Sequence, residues 1–81
     1  MFKVLKKDGS EQDFDRTKII NGVQKSGASP DVAETVASEV ELWLPEKAMD
    51  GKISHLDLKA KVIEVLRSKD PKAADSFEAY K

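Results

Sequence analysis

The sequence predicts an α+β fold: a small β-hairpin or three-stranded sheet capping a four-helix bundle. Three observations lead there. Asp8-Gly9 separates two short runs at the N-terminus, a strong hairpin signal. Asp15, Ser29, Ser54 and Asp70 each stand where a helix cap is wanted. Behind each cap, apolar residues recur at helical spacing.

The first strand is expected in Phe2 to Lys6, which alternates loosely and is rich in β-formers. Asp8-Gly9 suits a type I′ turn, because both central residues of that turn need φ > 0. Residues 11–14 form the return strand. Both faces mix apolar and charged groups, so the pattern leaves the hairpin register open.

Asp15 caps the first helix. Phe14 before it and Ile19 at the fourth helical position have the spacing of a hydrophobic staple. Ile19, Ile20 and Val23 form its apolar stripe, and Gly27 caps its end. Ser29-Pro30 starts the second helix, with Pro at the first position. Val32, Val36, Val40 and then Trp43 or Leu44 face the core, and Pro45 is expected to stop the helix. Met49-Asp50-Gly51-Lys52 reads as a loop. Ile53 adds one short strand. Ser54 caps the third helix, with Asp57 at the capping-box distance and an Ile53–Leu58 staple. Leu58, Val62, Val65 and Leu66 point inward. Asp70-Pro71 repeats the cap-plus-proline start, and Ala73, Ala74, Phe77 and Tyr80 line the last helix.

At 81 residues the chain is one domain over 1–81. A chain this short buries about 60–65 % of its unfolded surface, so modest stability is expected. Its formal net charge is -1, without the basic excess of a general nucleic-acid binder, so a nucleic-acid partner is disfavoured. There is no cysteine and one histidine, which excludes disulfides and an ordinary zinc site of about four N/S ligands. No apolar run approaches the ~18 residues of a membrane span, and no signal-peptide core opens the chain. A soluble, cytoplasmic protein with no membrane partner is expected.

Lys3, Lys6 and Lys7 precede the turn, and Lys18 falls in the first helical turn. Two readings stand. Hairpin lysines guard an exposed edge against sheet-on-sheet pairing. They also make a phosphate cradle when a helix N-terminus joins them. Glu11, Asp13 and Asp15 would oppose a bare anion, but could accept hydrogen bonds from a ribose or base, or hold a magnesium ion that accompanies phosphates. His55 opens the third helix and reads as an exposed helix-start residue or, less simply, as a ligand contact. Ser54, His55 and Asp57 are too close in sequence at one helix start to form a nucleophile–base–orienter relay. Neither a Walker loop nor Gly-x-Gly-x-x-Gly is present.

Val4-Leu-Lys-Lys-Asp-Gly-Ser10, then Phe14-Asp15, then Lys18-Ile19, resembles the opening of an ATP-cone domain: Val-x-Lys-Arg-Asp-Gly-Ser, then Glu-x-Phe-Asp, then Lys-Ile. Ile53 with Leu58, Val62 and Leu66 is similar to that family's third helix, and Asp70 to Tyr80 to its closing one. The resemblance covers essentially the whole chain. It implies a regulatory nucleotide-binding module, of the kind found in ribonucleotide reductases and in the repressor of reductase genes. It implies the same fold, a small sheet capping four helices, and no catalysis. It places Val4 and Lys6 beside base and phosphates, and brings Lys18 to the phosphates. Lys7 stands for the family's usual Arg. Gln12 stands for its Glu, with Glu11 one place earlier, and Phe14 belongs to the same motif. His55 falls where Thr or Ser is common near base or sugar, and Lys59 where some members have His. Lys81 matches a basic residue after the last helix.

The expected ligand is therefore ATP or dATP, with Mg2+ as its companion. The expected role is a nucleotide sensor that modulates a protein partner or self-association. The alternative is a protein-interaction module of the same fold that has lost the nucleotide. These 81 residues hold neither a reductase catalytic domain nor a zinc ribbon, which leaves a standalone cone or a fragment of a longer protein. Met1 at the start and Lys81 at the end lead us to expect the standalone form.

Overall fold

The computed structural model describes residues 2–79. In chain order the elements are β1 (Lys3–Leu5), β2 (Glu11–Asp13), α1 (Arg16–Lys25), α2 (Pro30–Lys47), β3 (Lys52–Ser54), α3 (His55–Lys69) and α4 (Pro71–Ala79). Met1, Tyr80 and Lys81 lie outside the described residues, and so do the roles expected of them.

Of the two sheet options the chain takes the three-stranded one, in the order β2-β1-β3. β1 pairs antiparallel with β2 and parallel with β3. Val4 sits opposite both Gln12 and Ile53, which sets the register that alternation alone left open. Val4 and Ile53 point toward the helices and are buried with Leu44 in a small core. Phe2, Phe14, Trp43, Ala48 and Leu58 close around it. On the other face Lys3 bonds Asp13 directly across the β1–β2 pair, and Lys52 reaches Glu11 at 3.2 Å.

The Asp-Gly turns exchange the roles expected of them. Asp8-Gly9 is not a type I′ turn, because only Gly9 has positive φ (89°). Lys6 N donates to Ser10 O at 2.8 Å and Gly9 N to Lys6 O at 3.1 Å, which makes a three-residue loop closed by glycine. Asp8 accepts from both the backbone and the hydroxyl of Ser10, so its side chain shapes this loop. Asp50 (φ 53°) and Gly51 (φ 75°) supply the two positive φ values instead. Met49 and Lys52 exchange two backbone bonds of 2.9 Å around them. The stretch read as a plain loop is thus a two-residue primed turn feeding β3.

All four expected caps accept a backbone N–H: Asp15 from Thr17, Ser29 from Val32, Ser54 from Leu56 and Asp70 from Ala73. The capping box expected at Ser54 is not made among the described residues: Ser54 Oγ accepts from Leu56 N and not from Asp57 N, and Asp57 sends no bond back. At the end of α1, Gly27 (φ 105°) permits two bonds, Gly27 N to Gln24 O at 3.0 Å and Ala28 N to Val23 O at 3.4 Å. That pair is a Schellman motif, and it buries Ala28 beside Val23.

Pro45 does not stop α2, which runs on to Lys47. Proline removes one donor, but here it falls in the last turn. Ala48 N still reaches Leu44 O at 2.8 Å and closes the helix after it. The main core lies between the helices. Val23, Val36, Ala37, Val40, Leu66 and Ala74 are fully enclosed there, and Trp43 is half-buried at its edge.

Leu66→Ala should cost about 2–5 kcal/mol, a large share of the ~5–15 kcal/mol that holds a small domain. Denaturant melts of parent and variant measure it. A midpoint unchanged by the substitution would show that Leu66 does not anchor the α2–α3–α4 junction.

Candidate functional site

The alternation that buries Val4 also decides which N-terminal side chains look toward the helices. Val4, Lys6, Gln12 and Phe14 line one cleft of about 160 Å³ between the sheet and the starts of α1 and α3. Asp13, Asp15, Lys18, Ile19, His55 and Leu58 complete its walls. Lys7 does not join them. It sits in the exposed loop before Gly9, one residue out of phase with Lys6.

A second cleft of about 330 Å³ continues the first toward α4. Lys18, Ile19, His55 and Leu58 belong to both, and Gly22, Lys59 and Phe77 belong to the second. The Phe77 ring lies against α1 at Gly22, where an added Cβ would make an ordinary van der Waals contact with Phe77 Cε1 at 3.5 Å. The first cleft alone is smaller than the ~300–1,000 Å³ of typical ligand sites, while the continuous groove reaches that range.

Seven of the eight residues singled out in the sequence therefore border this groove: Val4, Lys6, Gln12, Phe14, Lys18, His55 and Lys59. The walls that the sequence assigned to core packing are Ile19, Leu58 and Phe77, and Gly22, which the sequence did not single out, joins them. Phe14 serves twice, as the staple against Ile19 and as a wall. The signal for this was available in the even-numbered alternation Val4, Lys6, Gln12, Phe14, but only once the register was known.

The carboxylates at the groove are already engaged. Lys3 bonds Asp13, and that hydrogen bond together with the adjacent ammonium charge holds the Asp13 carboxyl below the usual aspartate range. Asp15 caps α1 through Thr17 N at 2.9 Å. Lys6, Lys18 and Lys59 form no salt bridge among the described residues. Two helices begin at the groove, α1 beside Lys18 and α3 at His55, and each brings the partial positive charge of its N-terminus. Cations and helix starts thus face an apolar floor.

Ser54 Oγ is occupied as the cap of α3, at 3.1 Å from Leu56 N. His55 Nε2 is buried and has no hydrogen-bond partner. Ser54, His55 and Asp57 are not joined into a relay by any hydrogen bond among the described residues. Nor, among the described residues, do three or more His, Asp or Glu side chains gather to hold a metal ion. No helix among the described residues is long and apolar enough to cross a membrane.

The family model of the ATP cone domain matches residues 2–81. Transcriptional repressor NrdR from two strains of Prochlorococcus marinus, MIT 9303 and MIT 9313, is 39% identical over 49 residues. Each match covers 56% of this chain and 31% of the repressor, so the chain spans about a third of those relatives. An uncharacterized protein of Archaeoglobus fulgidus is 42% identical over 41 residues, covering 51% of this chain and 87% of that protein.

The Asp13 shift has a sign that can be tested. Its carboxyl should titrate below an ordinary aspartate by NMR, and Lys3→Met should return it toward the usual aspartate range. A folded-state value that is depressed means the pair stabilises the fold above the ordinary aspartate range, and that this contribution fades as pH falls through the lowered value. Acid melts of parent and Lys3→Met should therefore converge at low pH. A constant gap between them would assign the effect of Lys3 to packing.

Proposed function

The chain belongs to the ATP-cone domain family, and on that premise we propose that its groove binds ATP or dATP as a cytoplasmic, non-hydrolysing sensor. The observation that carries this reading is the convergence of Lys6 and Lys18, from different elements, on one apolar-floored groove at two helix starts. The lysine heads are compact point charges suited to phosphate oxygens. Val4, Phe14, Ile19 and Leu58 offer apolar surface to a base. Lys59 extends the cationic rim toward α4. A magnesium ion would arrive with the phosphates and keep most of its own water, which requires no protein cage.

Such a ligand would touch β1, β2, α1 and α3 together and so tie the hairpin to the helices. Regulation follows if a protein partner, or a second copy, prefers the tied state over the loose one. The ligand moves that equilibrium only by its differential affinity for the two states. The NrdR match covers 31% of the repressor, so a role in transcriptional control would need parts beyond this match.

A second reading, a protein-interaction module without nucleotide, draws on a different surface. Leu42 is 77% exposed on α2 beside the half-buried Trp43, and Met49 is 79% exposed after it.

Calorimetric or NMR titration with ATP and dATP tests the sensor. A charge-assisted hydrogen bond contributes ~1.5–3 kcal/mol, so Lys6→Ala and Lys18→Ala should each weaken binding roughly 10- to 150-fold. Lys72→Ala, on exposed α4 surface, should change little. Binding should weaken with added salt, because the groove is open to solvent. If the parent shows no saturable shifts at millimolar nucleotide, the interaction-module reading replaces the sensor. If the parent binds and the two lysine variants match it, the phosphates lie elsewhere.

A further inference from the structure

Among the described residues, Leu42 is the most exposed large apolar side chain carried by a helix, at 77%. It stands with the half-buried Trp43 in a cleft of about 330 Å³ whose rim includes Glu39 and Glu46. Glu39, Leu42 and Glu46 share one face of α2 at helical spacing. That face is turned away from Val36, Val40 and Leu44, which are buried in the two cores. At Glu39 the cleft meets a second one of about 610 Å³, bordered by Asp31, Glu34 and Ser38.

The charge along this face is one-sided. α2 holds five carboxylates, at Asp31, Glu34, Glu39, Glu41 and Glu46, against one cation, Lys47. Taking these from the chain's 14 basic and 15 acidic side chains leaves 13 and 10, so α2 carries -4 and the rest +3. Asp31, Glu34 and Glu46 form no salt bridge among the described residues. The cations beside them are engaged elsewhere, Arg16 with Glu41 at 3.4 Å and Lys61 with Glu64 at 3.1 Å.

We propose that this outer face of α2 docks a cationic amphipathic helix of a partner protein. An apolar side chain of that helix rests on Leu42 and Trp43, and its lysines or arginines meet Asp31, Glu34 and Glu46. An apolar centre inside a charged rim is the usual build of a protein interface. α2 spans 18 residues, about 27 Å, which suits a second helix laid along it. Nucleic acid and anionic lipid are repelled by the same carboxylates, and a second copy offering its own α2 would set -4 against -4. The face and the nucleotide groove share no lining residue, so the docking site stands whichever reading of the groove holds.

The test is NMR and calorimetric titration of the full chain with three synthetic peptides as long as α2. The first is a helix with leucines along one face and lysines and arginines flanking them. The second has the same composition with the leucines scattered. The third has glutamate in place of every cation. The first should move the amides of Asp31, Glu34, Glu39, Leu42 and Glu46 and leave those of Lys6 and Lys18 still. Leu42→Ser should weaken it about tenfold, the effect of one leucine left unburied. Glu46→Lys should weaken it about threefold, the effect of a rim charge. Both substitutions fall on exposed surface, so both variants should melt with the parent. Added salt should weaken the first peptide, and the third should not bind. Equal binding of the first two peptides would reduce the face to general charge attraction and overturn the proposal. So would an absence of binding, or an affinity unchanged in Leu42→Ser. The parent alone should sediment as one chain. A mass that rises with concentration in the parent and not in Leu42→Ser would give the face to a second copy instead. None of these outcomes bears on ATP, which the groove lysine variants decide separately.

Discussion

Both the small core and the groove depend on β1 being held from two sides. Three residues are too few to fix a strand, and a lone hairpin is marginal in water. β3 supplies the second row of hydrogen bonds, parallel to β1, and with it a buried partner for Val4 in Ile53. A slip of one residue would turn Val4 outward and bring Lys3 and Leu5 onto the helices. It would also swing Lys6, Gln12 and Phe14 away from α1 and α3. One register therefore decides the hydrophobic contacts and the cation positions together, and neither can be changed alone.

The electrostatics of the groove follow from partnership more than from composition. The chain as a whole is slightly acidic, at -1. Asp13 is matched by Lys3, and Asp15 by the N–H of Thr17, so the two carboxylates nearest the groove already have counterparts. Each helix start contributes ~0.3–1 kcal/mol toward an anion, less than a direct lysine contact. The lysines thus set the strength of attraction, and the helix starts and carboxylate pairings set where it points. The ion pairs that join the helices, such as Lys69 to Glu39 at 2.9 Å, are exposed and contribute little to stability.

The helical part of the fold was legible in the sequence because capping is local chemistry. Asp15, Ser29, Ser54 and Asp70 need only their next two or three residues to act. The turns were less legible. Asp8-Gly9 and Asp50-Gly51 are the same dipeptide, and which one makes the primed turn depends on loop length and on strands far apart in the chain. Pro45 was misread because the rule against internal proline weakens in the last turn, where few bonds remain to lose. At the site, lysine type and spacing singled out Lys6, Lys7 and Lys18 together. Only the strand phase separates Lys7 from the others. Ile19, Leu58 and Phe77 carry helical periodicity that says core and is silent about a groove at the core's edge. His55 gave no strong signal, since isolation from solvent and from partners is a property of the assembled neighbourhood.

The parallel pairing of β1 with β3 joins residues 3–5 to residues 52–54. During synthesis the first strand leaves the ribosome long before its second neighbour exists. The β1–β2 hairpin must wait, exposed, while α1, α2 and the Asp50-Gly51 turn are made. Closing so long a loop is a slow, non-local step. α3 and α4, which complete the shared apolar core, are made only after β3, so neither the sheet nor the helical core can close before the last third of the chain exists. The groove beneath the sheet is therefore absent from any nascent chain that has not yet passed Ser54.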